Sequence, residues 1–159
     1  MNGTEQINSD LTRDYNVLLA QLEGLTHEDS LLQVPFRGNC LNWVLGHILT
    51  YRATMLEIAG LEPFEGAESY ERYGHGSEPV IADGADVINL DTMRADLALA
   101  QERLAARLPE LTEAELAQLP EGEERTIIQR LGFLAWHDAY HTGQTEYLRQ
   151  LAGTDDKII

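Results

Sequence analysis

The sequence predicts an all-α fold, a four-helix bundle whose helices run up-down-down-up. Three observations point there. Four long segments carry apolar residues at the roughly 3.6-residue spacing of amphipathic helices. No stretch alternates apolar and polar residues as a half-buried strand would, and no hairpin dipeptide sits between two β-rich runs. A long connection over residues 60–88 separates the second and third helical segments. That is enough chain to run back along a helix of about 30 Å and set the two segments parallel, which a simple up-down-up-down bundle would not need. At 159 residues the chain is predicted to form one domain over 1–159, long enough to bury a core.

The first helix is predicted over 5–24, with Ile7, Leu11, Tyr15, Leu18, Leu19 and Leu22 on one side. The second covers 40–59, with Asn39 as its N-cap and Gly60 as its stop. Its apolar stripe runs through Leu41, Val44, Leu45, Ile48, Tyr51, Met55 and Ile58. The following connection holds Pro63, Pro79 and five glycines and reads as largely irregular; connections of this length tend to be functional or to be crossovers. The third helix, "LDTMRADLALAQERLAARL" over 90–108, stops before Pro109. "TEAELAQL" at 112–119 adds a helical turn or two, and the fourth helix runs over 124–152 to Gly153.

Charge narrows the partners. Eleven basic against 27 acidic residues give a net charge of −16 with no basic stripe to offset it. Such a surface repels phosphate backbones and anionic bilayers, so neither nucleic acid nor a membrane is an expected partner. The N-terminal "MNGTEQINSD" lacks the basic and apolar regions of a signal peptide, and the uncharged run "GNCLNWVLGHILTY" is too short to span a bilayer. A single cysteine, Cys40, excludes an intramolecular disulfide and fits a reducing compartment. The expected location is cytoplasmic.

The chemistry gathers on histidine. In "AWHDAYHTGQTEYL", 135–148, His137 and His141 stand one helical turn apart and project from one face. Ile127, Leu131, Leu134, Leu148 and Leu151 continue their stripe, which is predicted to face the core. Imidazoles there need partners for their polar nitrogens. A metal supplies one, since it binds the neutral base. A pair alone does not make a site, and three other histidines are available. His27, in "GLTHEDSLL", reads as an exposed first-turn residue behind a Thr26 N-cap. His75, in the linker's "YGHGSEP", reads as a loop residue able to rim a pocket. His47, in "NWVLGHILTY", stands at the edge of the second helix's buried face. Spacing alone does not choose among them.

"NWVLGHI" followed some ninety residues later by "HDAYHTGQTEYLRQLAG" resembles the DinB/YfiT-like superfamily over nearly the whole chain. The resemblance implies a four-helix bundle holding a divalent metal on three side chains, here His47, His137 and His141. Where some relatives carry Glu at the first position on the last helix, this chain carries His137, which puts it nearer the three-histidine members. It also implies a small-molecule substrate and, as relatives often dimerise, a homodimer. Three imidazoles suit Zn²⁺ or Ni²⁺ best, with Mn²⁺ and Fe²⁺ also compatible, and leave coordination positions open. Such a site either activates water or binds a thiol as the reactive thiolate. Three functional readings follow. The first is a metal-dependent transferase of a low-molecular-weight thiol of the bacillithiol or mycothiol type; the others are a metal-dependent hydrolase and a non-catalytic metal-binding stress-response protein.

Spacing adds further candidates around the histidines. Gln144, three residues after His141, is placed to hydrogen-bond a ligand or to serve as an ordinary polar helix residue. Trp43 and Tyr51, four before and four after His47, either wall a pocket or pack the core. Asp138 points away from His137 by about 100° and is expected as a solvated carboxylate or one that supports a ligand from behind. Arg52 and Arg130 are candidates to meet an anionic substrate, or to pair with the acidic surface. Cys40 sits where a helix dipole favours thiolate but too far from His47 to ligate, and reads as structural.

Overall fold

A computed structural model describes residues 3–154, 156 and 158. Among them the chain forms α1 (Gly3–Leu22), α2 (His27–Ser30), α3 (Leu41–Ile58), α4 (Leu90–Arg107), α5 (Glu113–Leu116) and α6 (Ile127–Gln150), with 3₁₀ turns over Ala67–Tyr73 and Leu108–Glu110 and no strand. The fold is all-helical, as the periodicity predicts.

Local chemistry sets most boundaries. Thr26 and Asp29 form a capping box on α2, and Thr112 and Glu115 form another on α5, within the predicted 112–119 turn. Asn89 caps α4 through its side chain. Gly60, at φ +79°, ends α3 in the left-handed conformation a glycine adopts without strain. The N-cap of α3 is Cys40 rather than the predicted Asn39, and no side chain caps that end. The Cys40 thiol is buried and donates to the Val80 carbonyl at 3.4 Å; burial pushes its pKa up, overriding any help from the helix dipole.

The four long helices pack in a ring: α1 against α4 and α6, and α3 against the same two. Thirteen of the eighteen α3 residues are buried, so α3 is wrapped on nearly every side rather than along one stripe. Part of that wrapping comes from the connection expected to be irregular, where Tyr70 and Tyr73 of the 3₁₀ segment are buried against it. On α1 the core side is Ile7, Leu11, Leu18 and Leu22; Leu19, predicted among them, is exposed, and the buried positions beside the apolar ones are Asp14 and Gln21. On α6 the buried face is Leu131, Leu134, Ala135, Asp138, Thr142, Thr145 and Leu148. It is rotated from the predicted stripe, so His137 and His141 fall on its flank, half-buried.

A polar group occupies the middle of this core. Arg52 of α3 and Asp138 of α6 are 0% and 1% exposed. The guanidinium grips the carboxylate with two bonds, Nε to Oδ1 at 3.1 Å and Nη2 to Oδ2 at 2.9 Å. It also donates to Gln101 Oε1 of α4 at 2.8 Å and to the Leu11 carbonyl of α1 at 3.4 Å. One side chain thus binds all three other long helices. Beside it, Asp14 Oδ2 is buried without a partner, and burial with the neighbouring Asp138 charge raises its pKa to about 6. Other arginines close helix C-termini: Arg149 donates to the Gln21 and Glu23 carbonyls at the end of α1, Arg94 to Leu22 and Leu25, and Arg107 to Ala59 after α3.

Removing Asp138 strands a fully buried guanidinium. Asp138→Ala is expected to lose about 3–5 kcal/mol of stability, while replacing Arg52 and Asp138 together by apolar residues of similar volume recovers most of it. Urea unfolding of the two variants tests this; equal losses would show that the pair carries no buried-charge penalty.

Candidate metal centre

His47 is buried in the middle of α3, where an intrahelical glycine precedes it. A Cβ on Gly46 would lie 2.4 Å from the Tyr73 ring, so only glycine lets that ring lie against the helix. Tyr73 is fixed there by donating its hydroxyl to Asn42 Oδ1 at 3.0 Å and accepting from the Ile88 N–H at 2.8 Å. Its carbonyl then receives the His47 Nδ1–H at 2.6 Å. This places the proton on Nδ1 and leaves the Nε2 lone pair facing α6. Trp43, one turn earlier, stacks on the same ring with centroids 4.7 Å apart.

On α6 the arrangement is repeated. His141 Nδ1 lies 2.8 Å from Gln144 Oε1, an acceptor only, so His141 also carries its proton on Nδ1. His47 Nε2 and His141 Nε2 each lie 3.2 Å from His137 Nε2. Ring nitrogens of all three residues fall within 4.8 Å of one another, a grouping able to hold a metal ion. His137 Nδ1 is buried with no partner.

The fit to a cation follows from bond counting. Two of the converging nitrogens are bare lone pairs, and a proton on His137 Nε2 satisfies only one of them. Nitrogens about 2.1 Å from a common ion, at the ~90–110° angles of octahedral or tetrahedral coordination, stand roughly 3.0–3.4 Å apart. The 3.2 Å separations lie inside that range. Burial lowers the pKa of all three imidazoles, and their mutual repulsion adds to it for His47 and His137, bringing His137 to about 4. The Tyr73 carbonyl opposes the shift at His47, as Gln144 and Asp138 do at His141. The trio is therefore uncharged at neutral pH, the form a metal requires.

A cavity of about 640 Å³ opens in front of the trio. Trp43 and Val44 of α3 form one side, and Trp136, Tyr140, Gln144 and Tyr147 of α6 another. The remaining wall is the segment from Val34 to Asn39 entering α3, with His75 at the rim. From the 60–88 connection, His75 alone lines the cavity.

Other expectations need correction. Arg52 and Asp138 face neither cavity nor solvent: a carboxylate one residue on from His137 points into the bundle, and Arg52 meets it there. Arg130 pairs with Glu123 at 3.3 Å, bordering a different depression with Arg125 and Phe133. Tyr51 packs on His137 with centroids 4.4 Å apart but does not line the cavity. His27 is half-buried, contacting Asp83 at 3.3 Å and accepting from the Leu90 N–H at the start of α4, far from the trio in role. The residues that sequence reading missed are Gly46, Tyr73 and the 34–39 wall. Gly46 carried a signal: glycine costs about 1 kcal/mol inside a helix, so in an apolar run it marks a close approach.

Gly46→Ala is expected to push Tyr73 out, costing about 1–3 kcal/mol and altering the His47 imidazole nitrogen resonances while leaving those of His27 in place. Unchanged His47 resonances would mean that Tyr73 does not set its tautomer. Acid supplies a second test. With chelator present, the unfolded chain protonates these histidines below about pH 6.5, whereas folded His137 resists protonation until about pH 4. The trio's contribution is complete above pH 6.5 and disappears as pH falls through that window. Wild type should lose on the order of 1–2 kcal/mol more than His137→Gln between pH 7 and pH 4; parallel curves of urea midpoint against pH would refute this.

Comparison with known proteins places this geometry. No curated protein matches the sequence. Among solved structures, a conserved protein from Enterococcus faecalis shares the fold, with 17% identity and a TM-score of 0.73 over 97% of this chain and 99% of that one. No helix among the described residues is long and apolar enough to cross a membrane. The sequence profile of the DinB superfamily matches residues 10–145, and the chain belongs to that superfamily.

Proposed function

We propose that this protein is a divalent-metal-dependent enzyme that transfers a low-molecular-weight thiol, of the bacillithiol or mycothiol type, to a small electrophile. The observation that carries the reading is the convergence of three neutral imidazole nitrogens at the floor of an aromatic cavity. His47, His137 and His141 would hold the ion, Zn²⁺ or Ni²⁺ by preference and Mn²⁺ or Fe²⁺ by compatibility. A bound ion supplies Lewis acidity, lowering the proton affinity of a thiol or water that reaches it.

The chain's own residues shape the rest. Gln144 and the Tyr73 carbonyl hold two rings in their binding tautomer. No serine, cysteine or carboxylate lines the cavity, which supports a nucleophile brought in from outside, a thiol or water. Phe36, Trp43, Trp136, Tyr140 and Tyr147 line the walls and offer apolar surface to the body of a small organic ligand. The proposal includes an up-down-down-up course, supported by the ring of helix contacts and the long connection between the neighbours α3 and α4, and a homodimeric, cytoplasmic protein.

Tag-free protein should carry about one divalent ion per chain by elemental analysis, and His141→Ala should lose it. Monobromobimane then reports transfer as the thiol sulfur displaces bromide. Turnover that requires bacillithiol or mycothiol and disappears in His141→Ala is the expected result. Thiol-independent cleavage of an ester or amide panel would replace the transferase with a hydrolase. Loaded protein that turns over nothing would leave a metal-binding stress-response protein.

A further inference from the structure

We infer that the cavity selects a monoanionic ligand, a carboxylate on an apolar or aromatic body, and that Arg37 is the residue that reads its charge. This rests on the proposed reading that the cavity is the substrate site. The inference starts from where the cations of this chain are engaged. There are ten arginines in a sequence of net charge −16. Arg52 is locked in the core, and Arg94, Arg107 and Arg149 close helix ends. Arg13, Arg72 and Arg130 face carboxylates at 3.1, 2.8 and 3.3 Å. Arg103 donates to the Glu62 carbonyl at 2.6 Å, and Arg125 lies over the Phe133 ring at 4.8 Å. Arg37 is the one arginine among the described residues with no hydrogen bond, ion pair or ring contact. It lines the cavity that holds the three histidines.

In so acidic a chain, a guanidinium finds a carboxylate unless its position keeps it from one. Arg37 stands at a mouth with no Asp or Glu in the cavity wall. Its neighbour Phe36 is 69% exposed, and across the opening Trp136 and Tyr140 are 60% and 56% exposed. Large exposed rings around a concave site mark a binding surface rather than scattered surface apolarity. A ligand body fits between these rings, with one end at Arg37 and the other toward the histidines. The start of α3 next to Asn39 has no side-chain cap, and its dipole adds positive potential at the same end. One guanidinium matches a single carboxylate in two parallel bonds. No other arginine or lysine lines the cavity wall.

The chain's two tryptophans, Trp43 and Trp136, both line the cavity, so intrinsic fluorescence reports its occupancy. Hydrocinnamate and its neutral isostere hydrocinnamamide are titrated into chelator-treated wild type and Arg37→Gln. The acid should bind wild type about tenfold more tightly than the amide, the size expected of one charge-assisted pair at a partly dry mouth. In Arg37→Gln the gap should close, with amide binding and melting temperature unchanged, and in wild type added salt should narrow it. Equal binding of acid and amide, a gap that survives in Arg37→Gln, or no binding of either would overturn the inference. Chelation separates the two readings. An acid preference that emerges only after metal is added would put the carboxylate on the ion, sinking Arg37's role while the metal site stands. A preference seen in protein that never takes up metal would do the reverse.

Discussion

The bundle depends on where one guanidinium sits. Arg52 reaches α1, α4 and α6 from the middle of α3, with every bond made where water does not compete. A buried ion pair is a poor source of net stability, because desolvating both charges offsets much of their attraction. What it supplies is register. The bidentate geometry is satisfied at one relative setting of α3 and α6; sliding or rotating α6 by a residue would strand both charges. Asp138 directly follows His137, and Arg52 lies five residues after His47. The setting that satisfies the pair therefore also brings the three imidazoles together, so the core pair positions the site without touching it.

A second chain of causes runs from a missing side chain. Gly46 has no Cβ, so Tyr73 lies flat on α3; Tyr73 lies there, so its carbonyl meets His47 Nδ1; and Nε2 is left as a base. The 3₁₀ segment that carries Tyr73 is held by the Tyr73 hydroxyl on Asn42 and Ile88 and by Thr50 Oγ1 on the Tyr70 carbonyl at 2.8 Å. Part of what looks like a spacer between two helices is thus a support for one ring nitrogen. From the rest of the connection His75 reaches the cavity, while Phe64 and Val80 are buried in the core.

These two constraints separate what the sequence discloses from what it hides. The helices show in their periodicity and the His137–His141 pair in its i,i+4 spacing, whereas His47 joins them only through the resemblance to a known family. Arg52 was hidden because an arginine between apolar positions is ordinarily solvated, and only the fold reveals three acceptors around it. Asp138 was hidden for the same reason, and with it the true face of α6: counting only apolar residues rotates the stripe toward the histidines, whereas the buried face runs through Asp138, Thr142 and Thr145. Leu19 failed in the opposite sense, an apolar residue left outside because Asp14 and Gln21 occupy the inner positions. The wall at 34–39 has no periodicity, and only tertiary placement brings it to the site.

The α3–α6 seam holds two polar clusters of opposite character. Around Arg52, the guanidinium makes its bonds to Asp138, Gln101 and Leu11 within the chain, while Asp14 Oδ2 beside it is buried without a partner. Around His137, acceptors outnumber donors, one nitrogen has no partner at all, and an aromatic cavity leads in from solvent. Both clusters carry a desolvation cost, but the second is the one that a cavity connects to solvent. A buried polar group without a partner beside an open cavity is one that a ligand can complete. That imbalance, more than the identity of any one histidine, supports the proposal that ligands enter at the open end of the seam.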